Sequence, residues 1–234
     1  MVAGLSGDAP TLTIGSPLAE ILAGLLAFLI GAVPFGWLYG RLAHRVDLRT
    51  IGSGNVGATN AARLHGGFAS ILAFIAVFLL DAVKGFAAAW WSPELATWLG
   101  ADASDNTVRV LCGSAAILGH VFTPYLSFRG GKGVATALGV VTALATWSAL
   151  YAVGAWGVVL ALTGYVSLGS IVAMVTIPVT YLLRNGEETF RSRLGIFLFL
   201  TVSAAVVIWR HRGNIVRLLQ GRENRIRSPR EPAA

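Results

Sequence analysis

The sequence predicts an all-α, polytopic integral membrane bundle of about seven transmembrane helices, with the N-terminus outside and the C-terminus in the cytoplasm. Three observations carry this. Of 234 residues, 55% are hydrophobic and 12% charged, about half the charged share of a soluble domain, so there is too little polar surface to cover a water-soluble globule. The apolar residues fall in blocks, and about 20 apolar residues cross ~30 Å of hydrocarbon as a helix. A helix satisfies its own backbone in lipid, whereas the alternation of a membrane barrel strand is absent. The net charge of +7 sits in the gaps between blocks and in the C-terminal tail. That is the pattern of the positive-inside rule and of attraction to anionic lipid, not of nucleic-acid binding.

The N-terminal stretch MVAGLSGDAPTLTIG has no Lys or Arg, so it lacks the basic region of a secretory signal and suits an external start. The first apolar block runs from about Pro17 to Gly40. Ala23, Ala27 and Gly31 recur every fourth residue, a small-residue face for close helix packing. A second block, about Phe68 to Trp91, carries Asp81 and Lys84 on one helix face; charges at that depth are expected to pair inside the bundle. The acidic gap that follows reads as external. A third block covers about Thr107 to Leu126. Cys112 within it permits no intrachain disulfide, being the only cysteine.

Residues 134–183 are long enough for two full spans or three short ones, with Gly154, Gly157, Gly164 and Gly169 as candidate breaks. Two spans would bring the basic tail out on the external side. Three keep the tail inside and place Arg184–Arg193 outside. Three are chosen, which with a last block from Leu194 to Trp209 makes seven. The chain then reads as one membrane domain, 1–234, with polar loops at about 41–66 and 127–133 and the tail 210–234 in the cytoplasm of a bacterial inner membrane.

Three polar clusters share that cytoplasmic face. The first, Gly52-Ser-Gly-Asn-Val-Gly-Ala-Thr-Asn60 with Arg63 beyond, formally matches GxGxxG. A dinucleotide site would need a preceding strand and a βαβ unit, and here a charged turn precedes and a membrane helix follows. Glycines still let backbone amides approach an anion, and Ser53, Asn55, Thr59 and Asn60 add neutral donors. The second runs from Gly119 through His120 to Thr136. Arg129, Gly130, Gly131 and Lys132 read as an anion nest with two cations. Leu126 and Gly133 stand where a Walker A loop needs Gly and Ser or Thr, so it is not that loop. The third, His211 to Glu223, reads as a short amphipathic segment on which His211 and Asn214 can face inward.

Taken together and in order, GSGNVGATN, GHVFTPYLSFRGGKGVAT and HRGNIVRLLQGRE resemble the three cytoplasmic signatures of the bacterial acyl-phosphate:glycerol-3-phosphate acyltransferase (PlsY) family, and Asp81-x-x-Lys84-Gly85 is similar as well. The chain departs from that family in its extended N-terminus, in its tail beyond Glu223, and in Arg129, which stands where Lys is common and exchanges a point charge for a planar fork. The resemblance implies transfer of a fatty acyl group from acyl phosphate to the sn-1 hydroxyl of glycerol 3-phosphate, giving lysophosphatidic acid and inorganic phosphate. It implies acyl phosphate, glycerol 3-phosphate and membrane lipids as partners, with the enzyme that makes the acyl phosphate as a candidate further partner. No histidine is followed by Asp in an HxxxxD site. The expected catalytic set is Ser53, His120, His211 and Asn214. Thr59, Asn60, Arg63, Arg129, Gly130, Gly131 and Lys132 are expected on phosphate, with Asn55 and Glu223 in support. No Ser-His-Asp arrangement is visible, so transfer is expected to be direct. No carboxylate cluster suggests magnesium, and no metal or cofactor is expected. A transporter of an organic phosphate is the alternative; it would call for charges deep in several helices and an inverted repeat, and only Asp81 and Lys84 qualify. A lipid-binding scaffold would call for dispersed cations instead.

Overall fold

The structure, a computed structural model, describes residues 16–101 and 105–226. The expected external N-terminus, the centre of the acidic gap and the end of the basic tail lie outside the described residues. Within them the chain is helical, with no strand, so the dinucleotide reading of GxGxxG has no structural basis.

The first apolar block is two helices, α1 (Ser16–Ala32) and α2 (Phe35–His44). Pro34 supplies no backbone N–H and disfavours helix in the residue before it, which separates them. A 3-10 turn and the four-residue α3 (Ala58–Ala61) carry the first polar cluster. The second block is α4 (Gly67–Trp90), followed by the short α5 (Ser92–Trp98), which opens on Pro93. The third is α6 (Asp105–Val121).

Residues 134–185 form three helices, α7 (Val134–Leu144), α8 (Thr146–Thr163) and α9 (Val166–Asn185). Of the four candidate glycine breaks only Gly164 ends a helix, in the left-handed conformation at φ 75. Gly154 and Gly157 lie within α8 facing open space, and Gly169 lies in α9 against Trp156. The other break falls at Ala145, whose φ of −151 stops α7 without a breaker residue. The last block is α10 (Leu194–Arg210), bent by 57° at His211 into α11 (Arg212–Leu219).

By length and apolar composition, four described helical segments can cross a membrane, or five if α10 and α11 make one broken span. The bundle packs small residues inward and large ones outward. Ala19, Ala23 and Ala27 are buried with Val108, Cys112 and Ala116 between α1 and α6, while Leu18, Ile21, Leu25 and Leu29 of α1 are exposed. Lipid tails are as apolar as leucine, so a membrane helix gains by close backbone contact rather than by hiding its large side chains. A Cβ on Gly31 would run into the Ala116 backbone, and one on Gly139 into the Ala82 carbonyl. These contacts bring α6 against α1 and α7 against α4, and so seat the two helices that flank the second polar cluster.

Candidate active site

The first cluster is organised by Asn60. Its side-chain nitrogen donates to the carbonyls of Leu48 at 2.8 Å and Ile51 at 3.1 Å. Its oxygen accepts from the Ser53 amide at 3.1 Å and from Arg63 at 3.3 Å. Asn60 is buried and fully engaged, so it shapes the loop. Ser53 is exposed and Thr59 half-buried on the resulting rim. Asn55 turns the chain by accepting from the Gly57 amide at 2.9 Å.

The third cluster is built on Glu223. Its carboxylate accepts from Ser167 at 2.9 Å, Asn214 at 2.6 Å and Arg217 at 2.8 Å. Burial pushes this carboxyl up, but those three donors outweigh it and hold it below the usual glutamate value. Asn214 presents its oxygen to the Lys132 ammonium at 2.6 Å. It thereby joins the second cluster to the third across 82 residues. Burial lowers Lys132, Glu223 opposes this, and the fields of Arg217, Arg63 and Arg210 lower it further, to about 8. Arg63 in turn feels Glu223 and Arg217. The three motifs therefore share one electrostatic site. His211 is 2% exposed. Its Nδ1 lies 2.8 Å from the Val207 carbonyl; a carbonyl only accepts, so Nδ1 carries the proton and Nε2 keeps its lone pair. Burial, with Lys132 nearby, lowers His211 to about 4.

Besides Asn60, which shapes its loop instead of facing phosphate, three further expected residues occupy different roles or places. The amides of Gly130 and Gly131 do not line an anion nest; they donate to the carbonyls of Val121 and His120, both at 3.1 Å. Those carbonyls are left over at the end of α6, where no further helical amide follows, and the nearest donors take them. Both glycines are needed for the close approach, since a Cβ on either would strike His120. The amides left without an intrahelical partner beside Lys132 are instead those of the first turn of α7, which Gly133 opens at φ 88. Arg129 is exposed, and its side chain makes no hydrogen bond or ion pair among the described residues.

Two contributors escaped sequence reasoning. Arg210 donates to the carbonyls of both Gly130 and Gly131, at 3.2 and 3.3 Å. Ser167 opens α9 and braces Glu223. In sequence Arg210 stands only as the first residue of the basic tail, and Ser167 lies without any motif in a largely apolar run.

Next to this cluster lies an apolar cavity of about 120 Å³ between α4, α7, α8 and α9, lined by residues that include Phe74, Phe78, Val134, Leu138, Trp156 and Met174. Val134 is two residues from Lys132, and Phe74 stacks on Trp156 at 6.2 Å between centroids. The cationic cluster around Lys132 is thus followed, two residues on in the chain, by the wall of an apolar cavity.

A family model described as glycerol-3-phosphate acyltransferase matches residues 21–221. The chain is 38% identical to the glycerol-3-phosphate acyltransferase of Endomicrobium trichonymphae, over 90% of this chain and 97% of that one. It is 39% identical to that of Bordetella pertussis, over 92% and 95%. Its structure is similar to the crystal structure of PlsY (YgiH), an integral membrane glycerol 3-phosphate acyltransferase, in the glycerol 3-phosphate form. The TM-score is 0.75 at 37% identity, covering 89% of this chain and 96% of that one. The lysophosphatidic acid form of the same protein matches with a TM-score of 0.73 at 36% identity, over 88% and 95%. The chain belongs to the glycerol-3-phosphate acyltransferase family.

Proposed function

We propose that the enzyme takes its acyl group from acyl phosphate and places it on the sn-1 hydroxyl of glycerol 3-phosphate, at the cytoplasmic face of a bacterial inner membrane. The observation that supports this best is the nearness of two unlike environments: a cluster of cations in which Arg63, Arg210 and Arg217 act on Lys132, and an apolar cavity whose lining includes Val134, two residues on from Lys132. Acyl phosphate and lysophosphatidic acid both join a phosphate to a long chain and suit such a site. The relative crystallised in glycerol 3-phosphate and lysophosphatidic acid forms supports the same acceptor and product. Seven spans, N-terminus out and C-terminus in, keep all three clusters on one side. In that arrangement α6 and α7 cross as short helices.

Acyl phosphate is a mixed anhydride with a good leaving group, so the protein mainly aligns the reactants and stabilises charge. Lys132 and Arg63 neutralise phosphate, Asn214 and Glu223 hold Lys132 in place, and the α7 amides add their dipole. Ser53 and Thr59 bond substrate oxygens at the rim, where exposed Arg129 attracts anions. The His211 Nε2 accepts a hydrogen bond from the acceptor hydroxyl. Held at about 4, that imidazole is a weak base at neutral pH, so it orients the hydroxyl rather than keeping its proton. The hydroxyl oxygen bonds to the acyl carbon, the bond from that carbon to the phosphate oxygen breaks, and the phosphate leaves with the electron pair and receives the proton. No acyl-enzyme forms.

The test is release of inorganic phosphate from palmitoyl phosphate by purified protein, with and without glycerol 3-phosphate. Release that requires glycerol 3-phosphate and yields lysophosphatidic acid supports the reading. Folded protein that releases none, but moves glycerol 3-phosphate across liposomes, refutes it.

A further inference from the structure

Helix α4 carries a charged pair in its interior. Asp81 and Lys84 are 3% and 4% exposed, and their charged atoms lie 2.6 Å apart. Asp81 is fourteen residues from the start of α4, about 21 Å along its axis at ~1.5 Å per residue. Ions at such depth are expensive to keep, and a buried pair is often replaced by well-packed apolar residues without loss of stability. Stability alone therefore does not account for this pair. Its other contacts point to its use.

Lys84 donates to the carbonyl of Val33 at 2.6 Å and lies over the Phe35 ring at 5.4 Å. Those residues flank the Pro34 break, from which α2 leads to the Asn60–Arg63 loop. Asp81 presents the same carboxylate oxygen to the Nδ1 of His120 at 3.6 Å. His120 is itself wedged against Gly131, and its carbonyl accepts from the Gly131 amide. The next residue, Gly85, has no side chain where the Thr136 carbonyl of α7 presses in. Three consecutive functions on one helix face thus meet three separate segments: the lead-in to the first motif, the start of the second, and the helix that follows Lys132.

We propose that Asp81, Lys84 and Gly85 are a positioning element for the acyltransfer site. Lys84 fixes the departure angle of the first motif, Asp81 fixes the His120 imidazole and the glycine loop behind it, and Gly85 sets the height of α7. None of the three touches substrate. The element is retained for alignment of the phosphate groups, not for stability. This rests on the site described above.

The test replaces both charges by apolar groups of similar size, Asp81→Leu with Lys84→Met, in full-length protein purified in detergent. The expected result is a melting temperature equal to or above that of wild type, with kcat/KM for glycerol 3-phosphate at least tenfold lower. Activity within twofold of wild type overturns the proposal. So does failure of the double variant to fold, because the pair would then serve the fold itself. Asp81→Asn, which removes the charge at constant shape, gives a second reading. A fall of at least tenfold in kcat, with the KM for acyl phosphate unchanged, is expected; unchanged kcat overturns the proposal. Inactive wild-type protein would instead count against the proposed reaction, so the two failures are distinguishable.

Discussion

Lys132 is the residue for which structure assigns opposite signs to stability and activity. Burial above all, opposed by Glu223 and aided by Arg217, Arg63 and Arg210, holds its ammonium at about 8 instead of the usual 10.5. Carrying that charge at neutral pH therefore costs the unliganded fold about 3 kcal/mol, at 1.36 kcal/mol per pH unit. Bound phosphate would recover the cost. Lys132→Met should then leave the melting temperature of the free enzyme unchanged or raised, apart from the loss of the 2.6 Å bond to Asn214. The loss in activity should be that of a hydrogen bond to a charged group, about 1.5–3 kcal/mol, or roughly 10- to 150-fold in kcat/KM. The pH dependence has a definite direction. The unfolded chain holds the Lys132 proton to the ordinary lysine value, while the folded chain releases it near 8. Stability of the free wild type therefore gains from this residue as the pH climbs from about 8 toward 10.5. Over the same range the phosphate site loses a charge. The KM for glycerol 3-phosphate should rise above pH 8 by up to about tenfold per pH unit, at a pH where a phosphate monoester with a second pKa near ~6 is already dianionic. The assay is phosphate release at varied glycerol 3-phosphate from pH 6.5 to about 9.5. A Met variant within threefold of wild type, or a KM flat across that range, would refute the assignment.

Glu223→Gln should lower kcat/KM at least about tenfold, since Lys132 and Arg217 lose the carboxylate that holds them. Because its folded pKa is depressed, Glu223 contributes stability that is present above the ordinary glutamate value and lost as the pH falls through the folded one. Thermal unfolding of wild type should therefore fall off more steeply below pH 5 than that of the Gln variant. Trp156→Ala should lengthen the apolar cavity and shift donor preference toward longer acyl phosphates. At about 0.8 kcal/mol per buried methylene, each added carbon should gain up to roughly fourfold relative to wild type in competition between two chain lengths. Gly139→Leu should destabilise the bundle outright, measured as a lower melting temperature in detergent, because no rotamer avoids the Ala82 carbonyl and the cost resembles overpacking, about 1–3 kcal/mol or more.

The sequence disclosed the membrane class and the three motifs because both depend on composition and on local runs. The block edges near Trp90 and Leu194 fall within a residue or so of the helices. What it concealed was long-range pairing and breaks without breaker residues. Ala145 ends α7 in an alanine-rich stretch, where propensity favours continuing. The bond from Lys84 to Val33 spans 51 residues and ends on a backbone carbonyl, which no side-chain pattern reveals. The glycine pair beside Lys132 reads in sequence as an anion nest, whereas its amides bond to carbonyls at the end of α6. Its direction was not legible, because the competing acceptors at the end of α6 exist only once α6 stops at Val121.

The shortness of α7 has a consequence for how the two substrates meet. Its 11 residues extend about 16 Å, roughly half of a ~30 Å hydrocarbon slab. In the proposed seven-span arrangement, with the far end of α7 at the external surface, the loop that holds Lys132 is recessed from the cytoplasmic headgroups. On the proposed reaction the site would then be a well in the leaflet. Small, doubly charged, water-soluble glycerol 3-phosphate would descend into it, while the greasy donor would slide in sideways without leaving the bilayer. The product, carrying a tail already lodged among its neighbours, would drift away laterally, and only inorganic phosphate would have to climb back out to the water.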